Sequence, residues 1–150
     1  MNFLKKGKET ELEFSKLFES SIQSTKEEDI RQHWDVAIDI KFDVKGLKKI
    51  SRTDESVNEN IHWLEIKNVN GELGWVYGQA NYFVFETHKY WILVDKEELQ
   101  TFIKENIVKE YSKTPTIYNL YTKEGRKDVL TLIPTLDLCA ISSRIIKKIA

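Results

Sequence analysis

His33-Trp-Asp-Val-Ala-Ile-Asp-Ile-Lys-Phe-Asp-Val-Lys-Gly46 is the stretch that decides how this chain reads. Val36, Ile38, Ile40, Phe42 and Val44 alternate there with Asp35, Ala37, Asp39, Lys41, Asp43 and Lys45. That period of two belongs to a β-strand, whose successive side chains point to opposite faces. Asp43 and Lys45, two apart, therefore leave the same face. A carboxylate that holds a divalent metal, beside an ammonium that orients or deprotonates water or neutralises a developing phosphorane charge, suits phosphodiester hydrolysis. Asp35 can join them only if the chain turns back, because along one continuous strand it would lie ~26 Å from Asp43. A tight turn near Asp39-Ile40 would bring the two side by side, although no glycine or Asn-Gly pair marks one.

Outward from this stretch, the sequence predicts a helix over Glu11–Ile22, with Phe14, Leu17, Phe18 and Ile22 on one apolar face and Thr10 with Glu13 as a capping box. Residues 23–32 are polar and read as loop, as do residues 46–60. Ile61–Val69 reads as a strand, and Asn70–Gln79, with three glycines, as a structured loop with one helical turn. Tyr82–Glu86 and Tyr90–Val94 form an expected hairpin turning at His88-Lys89. Asp95 with Glu98 caps a helix that buries Leu99, Phe102, Ile103 and Ile107. Ile117–Tyr121 and Val129–Ile133 flank Glu124-Gly125 as a further hairpin, and a helix is expected from Leu136 to Lys148. The order predicts one α/β (α+β) domain over residues 1–150, a mixed central sheet flanked by helices.

Composition narrows the classes. The chain has 150 residues, 41% of them hydrophobic and 31% charged, which is the balance of an ordinary globular domain. Its longest apolar runs, such as Tyr90–Val94, are too short to cross a bilayer, so no membrane partner is expected. The opening Met1-Asn-Phe-Leu-Lys-Lys6 turns charged at once and predicts no secretory signal. A single cysteine, Cys139, excludes an internal disulfide and a Cys-type zinc site, and a cytoplasmic location is the expectation. A net charge of -1 argues against coating nucleic acid by charge alone. A nuclease escapes that objection, because metal ions cancel its carboxylates. Trp34, Trp63, Trp75 and Trp91 read as core or loop anchors before base-stacking platforms. His33, His62 and His88 have no ligand spacing.

Lys6-Gly7 and Glu11 with Phe14 and Phe18, then Asp35, then Asp43-Val44-Lys45, and later Trp63-Leu64-Glu65, Gly74-Trp75 and Ala80-Asn81-Tyr82 form an ordered set. In that order, over roughly residues 6–95, the chain resembles the PD-(D/E)XK nuclease superfamily, in particular its small phage and Holliday-junction-resolvase-like members. It departs from them in having Asn81 where Asp is common and no proline before Asp35. The resemblance implies a restriction-endonuclease-like core. It implies Mg²⁺, or Mn²⁺ in its place, held by Asp35, Asp43 and the Val44 carbonyl, with Lys45 serving water and phosphate. Glu11 would be an outer ligand or orient a metal-bound water. A second register is open in the same chain, Asp43 with Glu65-Ile66-Lys67, and Glu65 could also be an extra ligand beside Asp43.

The expected function is Mg²⁺-dependent DNA endonuclease action, with branched DNA as one candidate substrate. A homodimer is one expectation, since cutting both strands takes two sites. The rival is a catalytically silent protein of the same fold that binds nucleic acid or builds a virion.

Overall fold

The chain does turn back between the two acids. In the computed structural model, which describes residues 3–18, 22–37 and 40–149, Val36–Ala37 (β2) and Lys41–Lys45 (β3) are antiparallel neighbours. Val36 faces Phe42 and Ala37 faces Lys41. The single alternating run is therefore two strands. Ile38 and Asp39, between the two strands, lie outside the described residues.

Six strands build the first sheet: Ile22–Gln23 (β1), β2, β3, Tyr82–Glu86 (β5), Tyr90–Asp95 (β6) and Arg144–Lys147 (β10), in that order across the sheet. All neighbours are antiparallel except β3 and β5, which run parallel. Ile61–Lys67 (β4), Val129–Pro134 (β9), Asn119–Tyr121 (β8) and Val108–Ser112 (β7) form a second sheet in the order β4-β9-β8-β7. The expectation of one mixed sheet is thus corrected to two. Strand pairing of β4 is settled by β9, some seventy residues away in sequence, and local pattern does not specify it.

Alternation sorts the core into two layers. Phe42, Val44, Val84, Trp91 and Leu93 point to one face of the first sheet and meet Phe14 of helix α1 (Phe3–Ser15). Phe83, Phe85, Ile92 and Val94 point to the other. They pack there with Leu64 and Ile133 of the second sheet, Leu99 and Ile103 of α3 (Lys96–Asn106), and Leu138 of α4 (Thr135–Ile141). The result is an α+β domain whose two sheets share a core. Among the described residues, no helix is long and apolar enough to cross a membrane.

Three expected elements differ. Helix α1 starts at Phe3 and stops at Ser15, so Thr10 is interior and caps nothing; its hydroxyl donates to the Lys6 carbonyl one turn back, at 3.2 Å. Leu17 and Phe18 still pack beneath it, but Ile22 has left for β1. Residues 23–32 hold a helix, α2 (Lys26–Gln32), with a complete capping box: Thr25 accepts from the Glu28 N–H, and the Glu28 carboxylate accepts from the Thr25 N–H. The final helix ends at Ile141, and Arg144–Lys147 instead pair along β6, where Ile145 and Ile146 suit a strand. Strand β7 was not expected at all. The hairpin β5–β6, the Asp95 cap of α3 and the 3₁₀ turn Trp75–Tyr77 fall where the sequence places them.

Candidate functional site

The β2–β3 hairpin sets two carboxylates side by side. The Asp35 N–H donates to the Phe42 carbonyl at 2.7 Å, and the Asp35 Oδ2 accepts the Val44 N–H at 2.7 Å. Strand alternation turns the Val44 carbonyl to the same edge, beyond the end of β2. Lys45 Nζ lies 2.6 Å from Asp43 Oδ1. Both ends of β3 are pinned. The Asn81 side-chain oxygen accepts the Lys41 N–H and the Asn81 backbone N–H donates to the Lys41 carbonyl, each at 2.8 Å. At the other end Glu86 Oε1 accepts the Leu47 N–H at 3.1 Å, while Lys148 neutralises Glu86.

Asp35 and Asp43 are 4% and 3% exposed, so solvent does not screen them. Burial, then the Asp43 charge, push Asp35 up to about 7. Burial raises Asp43 too, against the pull of Lys45. The Lys45 pKa lies above the ordinary lysine value: burial works to lower it, but Asp43 and Asp35 together prevail. Lys45 is thus a firm ammonium. Asp43 Oδ2 is buried and has no hydrogen-bond partner while both acids are ionised; a proton on Asp35 lets the two carboxyls share a hydrogen bond. Two ionised carboxylates offer no donor to each other, so that oxygen calls for a proton or a cation. Mg²⁺ is commonly held through one or two carboxylates with water completing its shell, and this donor set fits it.

Glu11 arrives from α1, against the opposite face of the sheet, and is 8% exposed. Burial first, then Asp35, push its carboxyl up to about 7. Its Oε2 is held by Lys8 Nζ at 2.7 Å, and Lys8 also reaches Asp29 of α2 at 4.0 Å. Asp29 and Lys8 were missed in the sequence. The Thr25-x-x-Glu28 capping signature was there to reveal α2, and with it Asp29.

Glu65 approaches Lys45 from a different element than the two acids do. It sits on β4 in the second sheet, its Oε1 accepting the Trp75 N–H at 3.2 Å, and its charge reaches Lys45 only as the weakest of several influences. Asp43 and Lys45 are thus in contact, with Asp35 bonded to the backbone of Val44 between them, while Glu65 shares a pocket wall with Lys45 and Lys67 faces solvent. Among the described residues no group of three or more His, Cys, Asp or Glu side chains is arranged to hold a metal ion.

Lys45 has a second neighbour: its Nζ lies 4.2 Å from the centre of the Trp75 ring, a cation–π distance. Gly74 makes this approach feasible, since a Cβ there would stand 2.1 Å from the Glu65 carbonyl oxygen. Beyond Lys45 opens a pocket of about 170 Å³, with Lys48, His62, Trp63, Glu65 and Trp75 among its walls. Burial lowers His62 to about 4, so it is neutral at pH 7. No family model, curated protein or solved structure matches the chain.

Proposed function

We propose that the chain is a metal-dependent DNA endonuclease built on a restriction-endonuclease-like core. The observation that carries this reading is the buried pair Asp35 and Asp43, closed by Lys45 and left, when both are ionised, with one unpartnered oxygen. Asp35, Asp43 and the Val44 carbonyl would hold Mg²⁺ or Mn²⁺. When bound, the ion supplies a more acidic water and neutralises phosphate charge. Lys45, kept protonated by its acids, acts as a fixed positive charge for the phosphorane rather than as the base. Glu11 with Lys8 stands behind Asp35 and orients polar groups around it. The order of parts supports the core assignment: a helix bearing Glu11, a strand start bearing Asp35, then Asp43-Val44-Lys45 on a central strand. The lone thiol and the absence of a long apolar helix among the described residues suit a cytoplasmic enzyme.

A silent nucleic-acid-binding protein of the same fold is the second reading, favoured by one observation: among the described residues no three His, Cys, Asp or Glu side chains are grouped to hold a metal ion. Cleavage of linear and branched DNA by purified protein in Mg²⁺, Mn²⁺, Ca²⁺ or excess chelator separates the two. The enzyme reading expects cutting in Mg²⁺ and Mn²⁺, little in Ca²⁺, and none with chelator. Binding without cutting in every metal supports the silent reading, and full cutting in chelator overturns the metal site.

A further inference from the structure

We propose that the pocket beyond Lys45 takes one unpaired nucleobase from the nucleotide next to the phosphate held at Lys45. The proposal deepens the nuclease reading and rests on it for the position of that phosphate. Lys45 belongs to both places, its Nζ contacting Asp43 on one side and the Trp75 ring on the other. A phosphate at the two acids therefore stands at the pocket mouth, and the nucleoside attached to it is the group within reach.

Size and lining select a flat ring. About 170 Å³ is below the ~300–1,000 Å³ of sites for drug-sized ligands. Trp63 and Trp75 are the two tryptophans that are only half-buried, whereas Trp34 and Trp91 are sealed in the core. Trp63 is fixed in place by its indole N–H, which donates to the Lys49 carbonyl at 3.3 Å. A fixed ring loses little freedom when a base stacks on it. Edge groups are at hand: Glu65 spends one oxygen on the Trp75 N–H, leaving the other for a base donor. Lys48 lines the pocket beside Lys45, so a second amine stands within the pocket for a ligand's phosphate. A base stacked and paired within duplex DNA cannot enter, so the selected substrate has unpaired nucleotides at the cut.

Fluorescence anisotropy of the full chain in Ca²⁺ tests this, with three probes of equal length: oligothymidylate, an abasic sugar–phosphate strand of the same charge, and a duplex. Equal charge makes the phosphate contribution equal, so any difference is the base. Oligothymidylate should bind roughly 5- to 100-fold tighter than the abasic strand. Trp63→Ala should erase that difference, and Trp63→Phe should keep most of it. Equal binding of the two single strands by the wild-type chain overturns the proposal, whether or not Trp63→Ala folds. Cleavage in Mg²⁺ is scored separately. Cutting without base preference sinks the pocket and leaves the nuclease reading intact; base preference without cutting does the reverse.

Discussion

Asp43 carries two opposed demands in one side chain. On the proposed function it must stay ionised to hold a cation, yet it is buried beside a second acid. Exchange of Asp43 for Asn keeps the shape and an acceptor for Lys45, while Asp35 remains to balance the ammonium. Catalysis should fall by orders of magnitude in a single-turnover assay, and the melting temperature should stay level or rise, because like-charge crowding is relieved. Retained cutting by Asp43→Asn would remove Asp43 from the site. Lys45 makes the sharper comparison. Its Nζ is on Asp43, whereas Lys67 is exposed on the other sheet. Lys45→Ala should cost roughly 10²–10³-fold in rate, the scale of one lost electrostatic stabiliser. DNA affinity should hold, since one charge among many phosphate contacts contributes little. Lys67→Ala should cut normally; the reverse pattern would favour the Glu65-Ile66-Lys67 register.

Elements were legible where their signals were local. Asp95 caps α3 through the N–H groups of Glu97 and Glu98, three residues' worth of information, and the β5–β6 hairpin needs only its own alternation. The hairpin carrying Asp35 and Asp43 was legible as a requirement of the chemistry, not as a turn signal. Strand β10 was not legible, because Arg144–Lys147 become a strand by pairing with β6, fifty residues earlier in the chain. Trp75 beside Lys45 was likewise invisible: it depends on the backbone of Gly74 lying against Glu65 and Ile66 of β4. That contact gives the element-scale prediction. Gly74→Ala would force a Cβ to within 2.1 Å of a carbonyl oxygen, so the 3₁₀ turn Trp75–Tyr77 must lift away from β4. Chemical denaturation should show a loss of about 1–3 kcal/mol, the usual cost of overpacking. Trp75 emission should shift as Lys45 leaves its ring. An unaltered denaturation midpoint would mean that β4 yields and the contact holds nothing in place.

At the scale of the whole molecule, buried titrating groups set how stability follows pH. Asp35 and Glu11, raised to about 7, bind protons in the fold that the unfolded chain has released. Their contribution is complete below the ordinary carboxylate range, near pH 4, and is lost as pH climbs through about 7. His62 works the other way. Lowered to about 4, it stabilises above its unfolded value of roughly 6.5 and loses that contribution as pH falls toward 4. Two acids outweigh one imidazole between pH 4 and 6.5, and above that only the acids still slope. Metal-free protein should therefore melt at progressively lower temperature as pH rises from about 5 to 7.5. Asp35→Asn should flatten the fall, while His62→Phe should steepen it on the acid side. Mg²⁺ should raise the melting temperature more at pH 8 than at pH 6, because the ion must displace the proton that the acid pair keeps at the lower pH. Thermal melts of the three proteins across that range, each with and without Mg²⁺, decide the matter. A metal-free melting temperature that rises with pH, or a profile that Asp35→Asn leaves untouched, would show that the acid pair is ionised in the empty fold.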